Sequence, residues 1–253
     1  MMAQVSCYFQ AQTQRSTLRH NICFNGPRAG INFNDGMGGG NLLEGNLVFN
    51  MVRETQDHGA FNSWDRQPFV VERDGRPTYV PLVNEIRGNL MFNDYNSQEA
   101  IDNDDGSSHY ETHHNVFPLS HNGMKNDFGG HDNWHHHNLY YNGLDGQCMH
   151  VCAQKPGHED RFYSNTCLMT NNGSYADFEP GVGGPARPIM HDNRVFTPTG
   201  EASEKEGSDV RSVAAWQAMG HDLGTTVAKL PSDAEVIRMA REVLGMSARA
   251  ARP

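Results

Sequence analysis

One short phrase recurs along most of this chain, and it restricts the fold more than any other feature. It appears as His20-Asn21-Ile22-Cys23-Phe24, Gly45-Asn46-Leu47-Val48-Phe49 and Gly88-Asn89-Leu90-Met91-Phe92. It continues as His114-Asn115-Val116-Phe117, His137-Asn138-Leu139-Tyr140-Tyr141, Ser164-Asn165-Thr166-Cys167-Leu168 and Asp192-Asn193-Arg194-Val195-Phe196. The leading asparagines are separated by 25, 43, 26, 23, 27 and 28 residues. A period of this size marks a stacked repeat architecture. Each unit alternates apolar and polar residues between turn formers, which is the pattern of a short half-buried strand. The i, i+3, i+4, i+7 spacing of a helical repeat and the Leu-x-x-Leu-x-Leu spacing of a leucine-rich repeat are both missing. The fold expected is all-β: a right-handed parallel β-helix, with asparagines stacked in ladders at the turns.

A second strand aligns inside each coil. Ile31, Phe61, Ile101 and Met124 take one inward position. Alternation then turns Asn32, Asn62, Asp102, Lys125 and Cys148 outward, and with them Asn34, Trp64, Asp104, Asp127 and His150. A register slip of one would exchange the two faces. The long step holds Arg66 to Asn84, whose centre, Glu72-Arg73-Asp74-Gly75-Arg76-Pro77, reads as a turn and loop leaving the coil. Coils are expected over residues 1–200, with a C-terminal helical cap and loose tail over 201–253. Ser208 is expected to cap a helix over Asp209–Met219 stopped by Gly220. Ser232-Asp233-Ala234-Glu235 forms a capping box that opens a second helix to about Leu244. Both helices are expected to cover the open end of the solenoid. The start shows no equivalent cap, as though N-terminal coils were missing.

Composition narrows the partners. Lys+Arg number 20 and Asp+Glu 30, a formal net charge of −10. A chain so acidic is not built to contact nucleic-acid phosphates. No apolar run reaches the roughly 20 residues of a membrane helix. Met1 to Cys7 show neither the charged nor the apolar region of a signal peptide. That leaves a cytosolic protein or a C-terminal piece of a longer secreted one. The five cysteines are an odd number, so at least one lacks a partner within the chain. They read as buried thiols, too sparse for a disulfide scaffold. A monomer is expected.

The chemistry candidates are acidic residues that the coils would stack. Asp104 and Asp127 would be neighbours on adjacent coils. Two carboxylates roughly 5 Å apart resist joint ionisation, which divides them into acid and base, or acid and nucleophile. Asp57-His58 and Asp65-Arg66 flank the preceding coil, and Glu54 lies just upstream. Trp64 would offer an exposed platform for a sugar ring. The run Asp102–Gly106 also reads as a plain polar turn. It does not match an EF-hand. His131 and His135-His136-His137 read as solvated or sugar-binding, because adjacent residues point different ways and make a poor tetrahedral set. No metal ligands are assigned.

Gly26-Pro27-Arg28-Ala29-Gly30-Ile31-Asn32-Phe33, the phrase Arg53-Glu54-Thr55 through Asp57-His58-Gly59, and Asp104-Asp105-Gly106-Ser107-Ser108 resemble the right-handed β-helix proteins of the pectin-lyase-like superfamily. The nearest resemblance is to parallel-β-helix glycoside hydrolases, over residues 15–245. That resemblance implies an extracellular, polysaccharide-related role with catalytic acids on adjacent coils. It carries over to Asp57, Asp65, Asp104 and Asp105; Asp127 and Lys125 rest on alternation. The leading expectation is a glycoside hydrolase acting on a cell-wall or extracellular polysaccharide, without a cofactor. Its catalytic set is Asp57, Asp65, Asp104, Asp105 and Asp127. Glu54, His58, Asn62, Trp64, Arg66, Asp102, Lys125 and His150 would bind the sugar. The alternatives are two. In a Ca²⁺-dependent polysaccharide lyase, Asp102, Asp104 and Asp127 would hold the ion, and Lys125 or an arginine would be the base. A non-catalytic carbohydrate-binding solenoid would use Trp64 and the histidines.

Overall fold

The computed structural model describes residues 5–36, 38–67, 70–92, 97–142, 146–152, 154–179 and 187–246. The tail from Ala248 to Pro253 and the first four residues lie outside them. The chain winds as a right-handed parallel β-helix of about seven turns. Each coil contributes one strand to each of three parallel sheets. The first sheet includes Ile31–Asn34, Phe61–Trp64, Glu99–Asn103, Asn122–Asn126, Met149–Val151 and Ser174–Phe178. The second includes Asn84–Arg87, Tyr110–His113, Trp134–His136 and Arg161–Tyr163, and the third includes Leu90–Phe92, Val116–Ser120, Leu139–Asn142 and Thr166–Met169.

The recurring phrase is the corner between the second and third sheets. The residue before each asparagine is left-handed: His20, Gly45, Gly88, His114, His137, Ser164 and Asp192 have φ between 53° and 63°. Glycine takes this conformation without steric cost, and polar residues visit it more readily than β-branched ones. Each asparagine then turns inward and bonds the next coil. Asn89 Nδ2 donates to Asn115 Oδ1 at 2.9 Å, Asn115 to Asn138 at 3.1 Å and Asn138 to Asn165 at 3.1 Å. The backbone N–H of each donates to the same oxygen. The ladder ends where Asn193 N–H meets Thr225 Oγ1 at 2.9 Å. Burial without water obliges such groups to pair, so the ladder locks the coils in register.

The inward column of the first sheet follows the alignment. Ile31 pairs with Phe61, Phe61 with Ile101, Ile101 with Met124, and Met124 with Met149, all buried. One step is corrected. Lys125 pairs with His150, not with Cys148. Cys148 is buried and disulfide-bonded to Cys167. The turn entering this strand is two residues out of step with its neighbours, and a slip of two preserves parity, so His150 still faces outward. A second disulfide joins Cys7 to Cys23, which corrects the expectation of buried thiols; Cys152 is free and buried.

The long step leaves the coil as an antiparallel hairpin of Val71–Arg73 and Arg76–Thr78. Asp74 and Gly75 both have positive φ, the geometry of a tight two-residue hairpin turn. The C-terminal expectation is corrected in two places. Residues Asp209–Ser212 form a strand antiparallel to Ser203–Glu206, and helix α1 covers only Val213–Ala218, capped by Ser212. Pairing with the edge strand satisfies backbone groups that a longer helix would leave open. Trp216 of α1 is buried against Phe178 and closes the end of the core. Helix α2 spans Asp233–Val243 with Ser232 as its cap, as the capping box indicated. It does not cover the end. Val236, Met239, Ala240 and Val243 pack on Val116, Leu139 and Leu168, on the outer flank of the third sheet. That flank is apolar, so an amphipathic helix gains more there than over the coil end already filled by Trp216. Among the described residues no helix is long and apolar enough to cross a membrane.

Candidate functional site

Paired strands bring the outward column of the first sheet into one line. Asn32, Asn62, Asp102, Lys125, His150, Asp177 and Lys205 are register partners in succession. At its centre Lys125 Nζ lies 3.3 Å from Asp102 Oδ1, 3.0 Å from Asp127 Oδ2 and 3.9 Å from Asp104 Oδ1. One carboxylate oxygen from each of Asp104, Asp105 and Asp127 falls within 4.8 Å of the others. The stacking of Asp104 beside Asp127, expected from alternation, therefore holds in the structure.

Between these outward residues, inward polar groups pin the strands. Ser63 Oγ donates to Asn103 Oδ1 at 3.1 Å and Asn103 Nδ2 donates to Asn126 Oδ1 at 3.0 Å. His135 Nε2 sits 3.2 Å from the same Asn126 oxygen. This network fixes the strands that carry Asp102, Asp104, Lys125 and Asp127. It also corrects the reading of His135 as solvated. His135 is fully buried, and burial pushes its imidazole down to about 3. His136 faces outward against Glu111 at 3.1 Å, and His137 takes the left-handed corner.

Charge is not free in this environment. Burial pushes the Asp102 carboxyl well above its ordinary range, and Glu99 adds to that. Burial pushes Glu99 itself up to about 7 against the pull of Lys125, with Asp57 adding to the rise. Burial also raises Asp104, opposed by the N–H of Asp105 and by Lys125. The three nearby carboxylates hold the Lys125 proton more tightly than usual, despite its burial. A cation among stacked acids favours their ionised forms, and the burial of Asp102 and Asp104 opposes it.

The remaining candidates divide. Asp57 is exposed, 3.9 Å from Arg28 Nη2 and 3.6 Å from His58 Nδ1. His58 is buried and accepts from Arg28 Nε at 3.1 Å. Burial and Arg28 push it down to about 4, so it is neutral near pH 7. Asn62 and Asp102 are buried, and Asn62 Nδ2 donates to Asn32 Oδ1 at 2.9 Å. These three side chains lie beneath the surface rather than on it. Trp64 is only half-buried, but the Arg66 guanidinium covers one ring face at 4.5 Å, so it is not the open platform expected. Glu54 is exposed, and Pro27 O holds its N–H at 3.0 Å. His150 lies 3.5 Å from Cys152 Sγ.

Asp65, Arg66 and Asp105 sit at the far end of the same strands. Arg66 pairs with Asp105, and Asp65 Oδ1 accepts from Gly36 N–H at 2.9 Å. They line a cleft of about 660 Å³ together with Tyr79, Val80 and Pro81, from the chain returning after the hairpin. Sequence reasoning missed Glu99 and Arg28. Extending the aligned segments one residue backwards would have placed Glu99 opposite Asn122.

No protein-family model matches the chain, and neither a curated protein nor a solved structure matches it.

Proposed function

We propose that the protein is a glycoside hydrolase acting on a polysaccharide or oligosaccharide laid along the outer face of the first sheet. The observation that supports it is the trio of Asp104, Asp105 and Asp127, with oxygens within 4.8 Å of one another and Lys125 between. Asp104, whose carboxyl is raised, donates its proton to the glycosidic oxygen as the C1–O bond breaks. Asp127, whose Oδ2 lies 3.0 Å from Lys125 Nζ, attacks C1 and forms the glycosyl ester. Asp104 then takes a proton from water, whose oxygen displaces Asp127 with net retention. Carboxyl groups only about 5 Å apart suit this route, because inversion needs room for water between them. The cleft beside Asp105 and Arg66 would seat the chain. Two disulfides fit an oxidising compartment, in keeping with an extracellular substrate.

A lyase using Lys125 as base is less favoured, because three carboxylates within 3.9 Å hold its proton. The non-catalytic reading has one observation of its own. His113, His136, Tyr163 and His191 stack at 4.8–5.0 Å steps on the outer face of the second sheet, a ring ladder suited to sugar faces.

The test is digestion of a broad glycan panel with and without Ca²⁺. Hydrolysis by the wild type should fall about 100-fold or more in Asp104→Asn and in Asp127→Asn, with both variants folded. Unchanged rates in both would end the assignment. Chelator-sensitive release of an unsaturated uronide would replace it with the lyase, and binding without turnover with the solenoid lectin.

A further inference from the structure

A second cluster lies on the cleft wall, away from Lys125. The corner leading into the second sheet carries Ser108-His109 on one coil, His131-Asp132 on the next and His158 on the third. Their stacking is regular: His109 N–H donates to His131 O at 3.2 Å, and Asp132 N–H to His158 O at 3.2 Å one coil later. The step brings three imidazoles around one carboxylate. His131 Nδ1 and His158 Nδ1 each lie 2.8 Å from Asp132 Oδ2. The His131 ring meets those of His109 and His158 at 5.4 and 5.2 Å. One donor atom from each of His109, His131 and Asp132 falls within 4.8 Å of the others.

We propose that His109, His131 and Asp132 bind one divalent transition-metal ion of the zinc class, with His158 completing the set. Nitrogen donors with one carboxylate favour such an ion over Ca²⁺, which takes oxygens. A tetrahedral set needs donors drawn in from the present separations, which small side-chain rotations at these half-exposed turn positions supply. Coordination replaces any proton on the ligating nitrogens, so binding releases protons to solvent. The acidic trio beside Lys125 is not a competing zinc site: it offers no nitrogen, and the ammonium already stands among its oxygens. His109 and His131 both line the 660 Å³ cleft, so the ion would face whatever enters it.

The experiment uses the chelator-treated full chain with Zn²⁺ or Co²⁺ alone, read by equilibrium dialysis with metal analysis and by the visible spectrum of bound Co²⁺. The wild type should bind one equivalent with a four-coordinate Co²⁺ spectrum. His109→Ala, His131→Ala and Asp132→Ala should each weaken binding about 100-fold, and His158→Ala about 10-fold. Cys152→Ser and His113→Ala should leave it unchanged. Far-UV spectra without metal check folding, and His109→Ala carries the test should Asp132→Ala not fold. Absence of stoichiometric binding would overturn the proposal. So would binding that survives His109→Ala and His131→Ala, or that Cys152→Ser abolishes, since this would move the ion to the His150–Cys152–Glu179 group. Glycan turnover plays no part in these readouts.

Discussion

Asp102 and Lys125 are register partners on adjacent coils, and their charged atoms stand 3.3 Å apart beneath the surface. Neither oxygen of Asp102 has a hydrogen bond among the described residues, so no aligned hydrogen bond supports the contact. The Lys125 ammonium is the cation that Asp102, Asp104 and Asp127 share. Removing one side of a buried ion pair strands the other.

Lys125→Met should destabilise the fold by about 3 kcal/mol or more. Urea unfolding should show a larger loss at pH 8 than at pH 5, because protons can neutralise the stranded carboxylates at the lower pH. Adding Asp102→Asn should recover part of the loss. Equal destabilisation at both pH values would contradict this account.

Glu99→Gln tests the raised carboxyl. Glu99 titrates near 7 in the fold and near its ordinary 4.5 when unfolded. The folded state thus favours the protonated form. This group's favourable contribution is complete below 4.5, declines as pH rises, and is gone above about 7. Glutamine cannot ionise, so the variant should melt close to the wild type at pH 4.5 and above it at pH 8. A melting difference that does not change with pH would refute the assignment.

The asparagine ladder should be most costly to break at its middle. Asn115 Oδ1 accepts from Asn89 N–H and Nδ2, while Asn115 Nδ2 donates to Ile86 O at 2.7 Å and to Asn138 Oδ1. Asn115→Ala leaves the buried Asn89 N–H without its acceptor, at about 1–3 kcal/mol, and takes one hydrogen bond each from Asn89 Nδ2, Ile86 O and Asn138 Oδ1. Asn21, at the first rung, is only half-buried. Asn21→Ala should cost no more than about 1 kcal/mol, because water can replace the lost partner. Chemical denaturation of the two variants compares them directly.

The repeat was legible because it is local chemistry written seven times. A left-handed residue followed by an inward asparagine needs particular residue types at each corner, and those types are visible without coordinates. Strand alternation likewise placed Ile101 and Met124 inside and Asp104, Lys125 and Asp127 outside. The turns between strands hid the rest. A two-residue slip set Cys148 against Gly123 and put His150, not Cys148, beside Lys125. Whether Trp64 was open depended on where Arg66 came to rest, and His135 looked solvated until its neighbours were known. The closeness of Arg28 to His58, of His109 to Asp132, and of α2 to the third sheet likewise follows from coil length and packing. Periodicity decides which way a side chain points; only the folded stack decides what stands across from it, because that depends on the summed length of every turn between.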